Sequence, residues 1–400
     1  MIQTRTRAWW RATLALSLGS FLVFINLYAP QPLLPELRDV YGVSTLAVGL
    51  VMSVATLALA ASLLVFGPLS DAIGRAAIMR LTLLAAGGLS LGLALAPSFE
   101  ALLVLRGLQG FVLGGLPAVA IAWMGDEFEP SAMLPAVGLY IGANSLGGIS
   151  GRLVGGAVGE VAGSSASFLA VGAITLVGLA VFWKLLPASR GFTPRPFELR
   201  GALGDLAAHL HNPLLLAAYL LGGLNFLIFI NQYSYLTFRL AQAPFGLGPS
   251  VMGLIFLTYL GGTLGSSLSG RLAGHLSPPA CMVLGILILM GGTLVTLAGS
   301  LALIVLGLTI NAFGFFLAHA MASSWVGRHA GQARGSASAL YLVFYYSGAS
   351  LGAFWLEPFW QVGAWPGVAV GSWLVLGVTL GIAAWLWRRE VSARRGQVAG

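Results

Sequence analysis

Charge is what this chain has least of. Of its 400 residues, 20 are Lys or Arg and 12 are Asp or Glu, 8% in all, where a soluble domain carries about 25%. Hydrophobic residues make up 58%, against roughly 45–50% in soluble domains. A chain so poor in charge has too little polar surface to cover itself in water. That excludes a soluble enzyme and a disordered scaffold. Cysteine is almost missing as well. Cys281 stands alone, so no internal disulfide staples the fold. No P-loop occurs, and no cluster of metal-ligand spacing, so neither a cofactor nor a metal is expected. Long polar stretches are scarce too, which leaves no room for a soluble domain.

What is present is apolar sequence in membrane-length runs. A helix crosses the hydrocarbon with about 20 apolar residues. Twelve such spans are predicted, at residues 12–34, 46–68, 78–97, 101–124, 133–158, 165–186, 213–236, 250–273, 280–299, 301–325, 336–356 and 367–387. The expected class is an all-α membrane protein. The longest polar stretch, 187–211, contains Pro187, Arg190, Pro194, Arg195, Pro196 and Glu198 and separates six spans from six. It predicts an N-terminal bundle over 1–186, a linker over 187–211 and a C-terminal bundle over 212–400. Arg5, Arg7 and Arg11 precede the first span as in a signal peptide, but the apolar run is too long and lacks a clear cleavage site. An uncleaved first span is expected.

The basic residues orient the chain. Sixteen of the 20 fall on the side that holds the N-terminus. Arg38 and Arg239 fall on the other side, and Arg106 and Arg152 lie within spans. By the positive-inside rule both termini are cytoplasmic. The net charge of +8 is then a topology signal, and no nucleic-acid partner is expected. The partner expected from this is the bilayer, and the protein is expected to be a monomer.

The two halves repeat. Phe66-Gly-Pro-Leu-Ser-Asp71 ends span 2 and Ser269-Gly-Arg-Leu-Ala-Gly274 ends span 8, at an offset of 203 residues. Asn144-Ser-Leu-Gly-Gly148 in span 5 is echoed by Ala349-Ser-Leu-Gly-Ala353 in span 11, at an offset of 205. Two matches at nearly one offset indicate two duplicated six-helix halves. Transporters built this way place substrate sites near the midplane, where the repeats meet.

Four motifs carry a family resemblance. Gly67-Pro-Leu-Ser-Asp-Ala-Ile-Gly-Arg75 follows span 2 and resembles the G-x-L-x-D-x-x-G-R loop signature of the major facilitator superfamily. Arg106-Gly-Leu-Gln-Gly110 in span 4 resembles that superfamily's arginine motif of the fourth span. Pro30-Gln-Pro-Leu-Leu-Pro35 resembles a signature of its drug/proton antiporter branch. Gly142-Ala-Asn-Ser-Leu-Gly-Gly-Ile-Ser-Gly-Arg152 sits where that branch has its antiporter motif, without the usual G-P pair. Its form looks most like that of the YnfM-type inner-membrane transport proteins. The resemblance implies twelve helices in two pseudo-symmetric six-helix bundles, a bacterial inner-membrane location and secondary active transport by alternating access. Through its branch it implies efflux of a drug-like or amphipathic compound by proton antiport.

In the loop motif, Gly67 and Gly74 suit tight turns and close packing. Asp71 suits exposed N–H groups at a helix N-terminus. Arg75 has Asp126, Glu127 and Glu129 as acidic candidates at the inner end of span 4, and the resemblance favours Asp126. It also implies that these residues form a conformational latch. The alternative is an ordinary basic loop.

Ionisable groups inside a membrane are functional hypotheses by default. Arg106 and Arg152 lie six to seven residues from the outer ends of spans 4 and 5, roughly 9 Å deep at ~1.5 Å per residue. Each is a candidate for an anionic substrate group or for a structural bond, Arg106 to Asn26 or Gln31. His319 is mid-span in helix 10, either a proton carrier or simply hydrogen-bonded. No Asp or Glu sits centrally in any span; Glu36, Asp39, Glu100, Glu160 and Glu357 cluster at outer ends.

Asn26, Gln31, Gln109, Asn144, Asn225, Tyr259, Asn311 and Tyr345 supply the polar and aromatic side chains of a candidate pathway. Trp9, Trp10, Trp385 and Trp387 are expected in the interfacial belt. Gly147, Gly151 and Gly155 in span 5, like Gly262, Ser266 and Gly270 in span 8, form smooth strips for close packing. Spans 5 and 8 face each other in the family, so sliding surfaces are expected there.

Efflux leads. Uptake or exchange of an organic anion or sugar is the alternative, motivated by the arginines. A membrane-embedded enzyme is remote, because no layer gathers paired carboxylates, a metal cluster or a nucleophile with its base.

Overall fold

The computed structural model describes residues 1–193, 199–331 and 334–398. Pro194, Arg195, Pro196 and Glu198 of the central polar stretch lie outside them. In chain order the helices are α1 (Arg7–Tyr28), α2 (Leu34–Tyr41), α3 (Thr45–Ile73), α4 (Arg75–Leu93), α5 (Phe99–Leu113), α6 (Gly115–Glu127) and α7 (Pro130–Leu185). There follow α8 (Leu199–His211), α9 (Pro213–Ala241), α10 (Pro249–Ile255), α11 (Tyr259–Leu272), α12 (Pro278–Val295), α13 (Leu301–His329) and α14 (Arg334–Val398). Among the described residues there is no strand, and one isolated bridge joins Ile2 to Phe128.

Local chemistry marks the starts. The side chains of Thr6, Ser44, Ser98, Asn212 and Ser277 accept from the first free N–H groups of α1, α3, α5, α9 and α12, as N-caps do. Pro130, Pro213, Pro249 and Pro278 occupy first helical positions, where a missing N–H costs nothing.

Among the described residues ten helical stretches are long and apolar enough to cross a membrane. Two of them, Pro130–Leu185 and Gly335–Ser392, run 56 and 58 residues, far beyond the roughly 20 that a bilayer needs. Each is broken once, at Gly163 (φ 83°) and at Gly363 with Ala364. Divided there, the ten stretches give the twelve crossings expected from the sequence. The first crossing stops at Tyr28, short of residue 34. Pro30, Pro32 and Pro35 remove amide donors and disfavour helix in the residues before them. The chain passes through a 3-10 turn at Gln31–Leu33 into the short α2. The polar stretch after residue 186 also contains a helix, α8.

Contacts divide the chain into two units. One comprises Met1–Leu199 with Leu247–Phe256, the other Arg200–Gly246 with Leu257–Gly400. In the first unit α7 lies against α1 at backbone distance. A Cβ on Gly147 or Gly151 would stand 2.5 Å from the carbonyl oxygen of Phe21 or Ile25, and Gly155 meets Ala29 in the same way. In the second unit Gly348 and Gly352 of α14 meet the carbonyls of Gly223 and Leu227 of α9. The repeat is thus one of packing as well as of sequence.

The glycine strip of span 5 is therefore not a surface against span 8. It is the seam between α7 and α1, and Gly156, one residue round the helix, is the one that meets Pro249. Gly262 and Gly265 of α11 meet Phe316 and Phe313 of α13. Trp9 also departs from expectation. It is 3% exposed and its indole donates to Ala132 O, so it locks α1 to α7, whereas Trp10, Trp385 and Trp387 are exposed.

Candidate functional site

Arg106 sits on α5 and is fully buried. Its Nε donates to Val51 O (3.1 Å), Nη1 to Asn26 O (3.2 Å) and to Gln109 Oε1, and Nη2 to Leu27 O (3.0 Å). Gln109 follows one helical turn later on the same face. Its amide donates to Asn26 Oδ1 (3.2 Å) and Ser90 Oγ (2.7 Å), while Ser90 Oγ donates to Asn26 Oδ1 (2.5 Å). Asn26 Nδ2 donates to Thr175 Oγ1 (2.7 Å). The guanidinium thus joins α1, α3 and α5, and the network extends through Gln109 and Asn26 to α4 and α7. Four protein acceptors surround the guanidinium, which is how a buried cation is stabilised in low dielectric.

Arg152 on α7 is also fully buried, but it pairs with Gln31, not with Arg106. Its Nε donates to Gln31 Oε1 (2.8 Å) and Nη1 to Gly148 O (3.0 Å). Its guanidinium stacks between Tyr28 (4.1 Å) and Phe256 (4.4 Å). The sequence offered Asn26 or Gln31 as a partner for Arg106; Asn26 takes that place through its backbone carbonyl, and Gln31 goes to Arg152. The proline-rich turn after Tyr28 rotates Gln31 toward α7, which no spacing rule announces. Asn144, one more candidate on α7, accepts from Ser20 Oγ of α1.

The loop motif forms an ion cluster. Arg75 Nε meets Asp126 Oδ2 at 2.5 Å, and Arg75 Nη1 meets Asp71 Oδ1 at 3.0 Å. Gly74 separates the two partners on the chain with φ 102°, a backbone that a side chain would strain. Gly67 needs no such freedom. It lies inside α3 with open space where a Cβ would stand, so the expectation of a tight turn or close packing there is corrected. Glu127 faces elsewhere and accepts the amides of Arg190 and Gly191 (2.7 and 3.0 Å).

The second unit repeats the polar core without the arginine. Gln232 Oε1 accepts from Asn311 Nδ2 (2.8 Å) and Thr293 Oγ1 (3.4 Å), and Asn311 Nδ2 also donates to Thr293 (3.0 Å). Helix by helix, Gln232, Thr293 and Asn311 stand where Asn26, Ser90 and Gln109 stand in the first unit.

Such a doubled helical core, edged by apolar side chains such as Leu81, Val104, Leu134 and Val177 that are exposed, suits a bilayer and not water. Comparison with known proteins gives the family. The family model described as "Major Facilitator Superfamily" matches residues 16–353. The chain belongs to the Major Facilitator Superfamily. It is 38% identical over 388 residues to the uncharacterized MFS-type transporter YybF of Bacillus subtilis, covering 97% of this chain and 96% of that one. It is 36% identical over 392 residues to the inner membrane transport protein YnfM of Escherichia coli, covering 97% and 93%. A crystal structure of a bacterial homolog of the human lysosomal transporter Spinster, inward-facing and unoccupied, superposes with a TM-score of 0.72 at 16% identity, covering 96% of each chain.

As a superfamily member the protein is a multi-pass membrane transporter that moves a small molecule by alternating access, and it is not an enzyme. The remaining candidate residues lie in the second unit. Tyr345 stacks on Phe226 (3.7 Å between centroids), and Phe229 stacks on Phe315 (4.0 Å). His319 lies 4.8 Å from Tyr345, and its Nδ1 is 2.9 Å from Tyr341 Oη. Tyr259 packs on Tyr233 (4.9 Å) and Phe229 (5.1 Å). Asn225 is buried, yet neither polar atom of its amide has a partner among the described residues.

One residue of this superfamily member was underweighted by the sequence. Glu357, which the sequence places at an outer span end, is 8% exposed. It accepts from Tyr235 Oη (2.7 Å) and Gln361 Nε2 (2.6 Å). It stands at the repeat position of Arg152, 205 residues on, which a comparison of the halves reveals. Among the described residues no group of three metal-ligating side chains occurs.

Proposed function

We propose that this transporter exports a small, drug-like amphipathic compound across the bacterial inner membrane, with both termini in the cytoplasm and protons as the counter-ion. The observation that supports this reading is the aromatic cluster of the second unit. Three rings, Phe315, Tyr341 and Tyr345, lie 4.8–5.9 Å from His319, and Phe226 and Phe229 extend the cluster by stacking on Tyr345 and Phe315 at 3.7 and 4.0 Å. Apolar faces with a few convergent polar groups suit a ligand with a flat apolar body. Within the cluster the Tyr341 hydroxyl and the His319 imidazole supply those polar groups, and His319 is the candidate proton carrier. The buried amide of Asn225, neither of whose polar atoms is bonded among the described residues, offers hydrogen bonds to an external partner.

The positively charged linker and loops support the orientation. Arg75 with Asp71 and Asp126 is assigned as a conformational latch, and the protein works as a monomer of two bundles, 1–186 and 212–400, joined through 187–211. The anion or sugar reading drew on Arg106 and Arg152. Both are held by protein acceptors, which removes its motive. Everted membrane vesicles test the proposal. Energised vesicles containing the protein should accumulate ethidium, and Tyr345→Ala should raise the half-saturating concentration about ten-fold, as loss of a stacked ring would. Accumulation unaffected by Tyr345→Ala would remove the cluster from the pathway.

A further inference from the structure

A cavity lies in the unit that carries the aromatic cluster, at the end of α9 remote from Pro213. Its volume is about 240 Å³, and its walls include Arg239, Pro244, Phe245, Trp360, Trp365 and Pro366. The sequence counted Arg239 as one of two positive charges on the sparsely charged side and gave it no task. In the structure Arg239 Nη1 donates to Thr296 O (2.7 Å) and Nη2 to Ala298 O (3.1 Å), just beyond the end of α12. Those two bonds anchor the side chain and fix its plane. A guanidinium has five N–H donors, so three remain.

The surroundings favour an anion. Phe245 and Trp365 lie 5.7 and 5.9 Å from the guanidinium carbon. Trp365 is 2% exposed and its Nε1 donates to Thr296 Oγ1 at 3.1 Å, which holds the ring in place. Trp360 is steadied by Tyr235 at 5.6 Å. No acidic side chain lines the cavity, and among the described residues Arg239 enters no ion pair. Glu357, three residues before Trp360, is engaged by Tyr235 and Gln361. A cap for α12 would need the guanidinium alone. Indole walls and a cavity beside it are what a ligand needs.

We propose that this cavity binds an organic anion with one flat apolar ring, a carboxylate of benzoate size. Its carboxylate accepts from the free N–H groups of Arg239, which match it in geometry, and its ring rests on Trp360 and Trp365. At about 240 Å³ the cavity falls below the usual range of roughly 300–1,000 Å³ for drug-sized ligands, which selects a single ring. A lipid headgroup offers the same anionic chemistry, so the test separates the two sources. The site is distinct from the transport cluster, and its test involves no transport.

Calorimetric titration of the purified full chain in neutral detergent with benzoate and with benzyl alcohol provides the test. Benzoate should bind saturably and benzyl alcohol at least about ten-fold more weakly. Arg239→Gln should weaken benzoate about ten-fold or more, as loss of a charged hydrogen bond does. That variant also uncaps α12, so Trp360→Ala, which leaves the bonds to Thr296 and Ala298 intact, should weaken benzoate as well. Absence of benzoate binding, equal affinity for the two compounds, or unchanged affinity in both variants would overturn the proposal. Phosphatidylglycerol added beforehand should leave benzoate binding unchanged. If it abolishes binding, and mass spectrometry finds it retained by the wild type but not by Arg239→Gln, the site belongs to a lipid and the organic-anion assignment falls.

Discussion

Asn26 and Gln232, 206 residues apart, hold equivalent positions in their own bundles. Asn26 Oδ1 accepts from Ser90 Oγ and Gln109 Nε2. Gln232 Oε1 accepts from Thr293 Oγ1 and Asn311 Nδ2. The Ser90 and Thr293 hydroxyls each also lie 3.0 Å from the carbonyl oxygen four residues back, with which the single O–H is shared. The duplication has kept a three-helix hydrogen-bond centre and placed an arginine in one copy.

That asymmetry predicts unequal costs. Interhelical hydrogen bonds in membrane proteins average about 0.6 kcal/mol and reach about 1.7. Gln232→Leu should therefore lower stability by about 1–2 kcal/mol. Arg106→Gln removes bonds to Asn26, Leu27 and Val51 together and should cost about 3 kcal/mol or more. Thermal melting in detergent compares them. Equal melting shifts would contradict the structural role of Arg106.

The glycine seam predicts position-dependent effects of one small change. Gly151→Ala brings a methyl group to 2.5 Å from Ile25 O and should destabilise by about 1–3 kcal/mol, as overpacking does. Gly142→Ala enters open space and should be neutral or stabilise by up to about 1 kcal/mol. Folded yield and melting temperature report the difference. Gly151→Leu should fail to fold, which differs from a variant that folds and jams.

Much of this was legible in the sequence, because crossing a membrane imposes length and apolarity on each span and the loop motif brings its own spacing. The Arg75–Asp126 contact followed from such a motif. What stayed hidden depends on rotation about helix axes. Whether Gly151 faces span 1 or span 8 turns on a fraction of a helical turn, and Gln31 reaches Arg152 through an irregular proline turn. Glu357 stayed hidden because its burial comes from Tyr235, more than a hundred residues earlier.

Asp126→Asn should separate function from stability. Arg75 and Asp126 are part-exposed, and pairs of that kind are worth about 0–1 kcal/mol. The melting temperature should barely move while transport slows several-fold. Loss of both in proportion would make the cluster a structural pair and not a latch.

Asn225→Ala offers the opposite contrast to Asn311→Ala. Asn311 donates to Gln232, Thr293 and Leu289, and its loss should destabilise. Asn225 has no partner to lose among the described residues, so Asn225→Ala should leave melting unchanged or raised while altering transport. A large drop in stability for Asn225→Ala would remove it from the pathway.

The central claim is proton-coupled movement of an amphipathic compound. Purified protein in liposomes, loaded with ethidium and assayed with and without an imposed pH gradient, tests it most directly. The account predicts saturable, protein-dependent flux that the gradient accelerates and drives against the dye's own concentration difference. Flux indifferent to the gradient would contradict it.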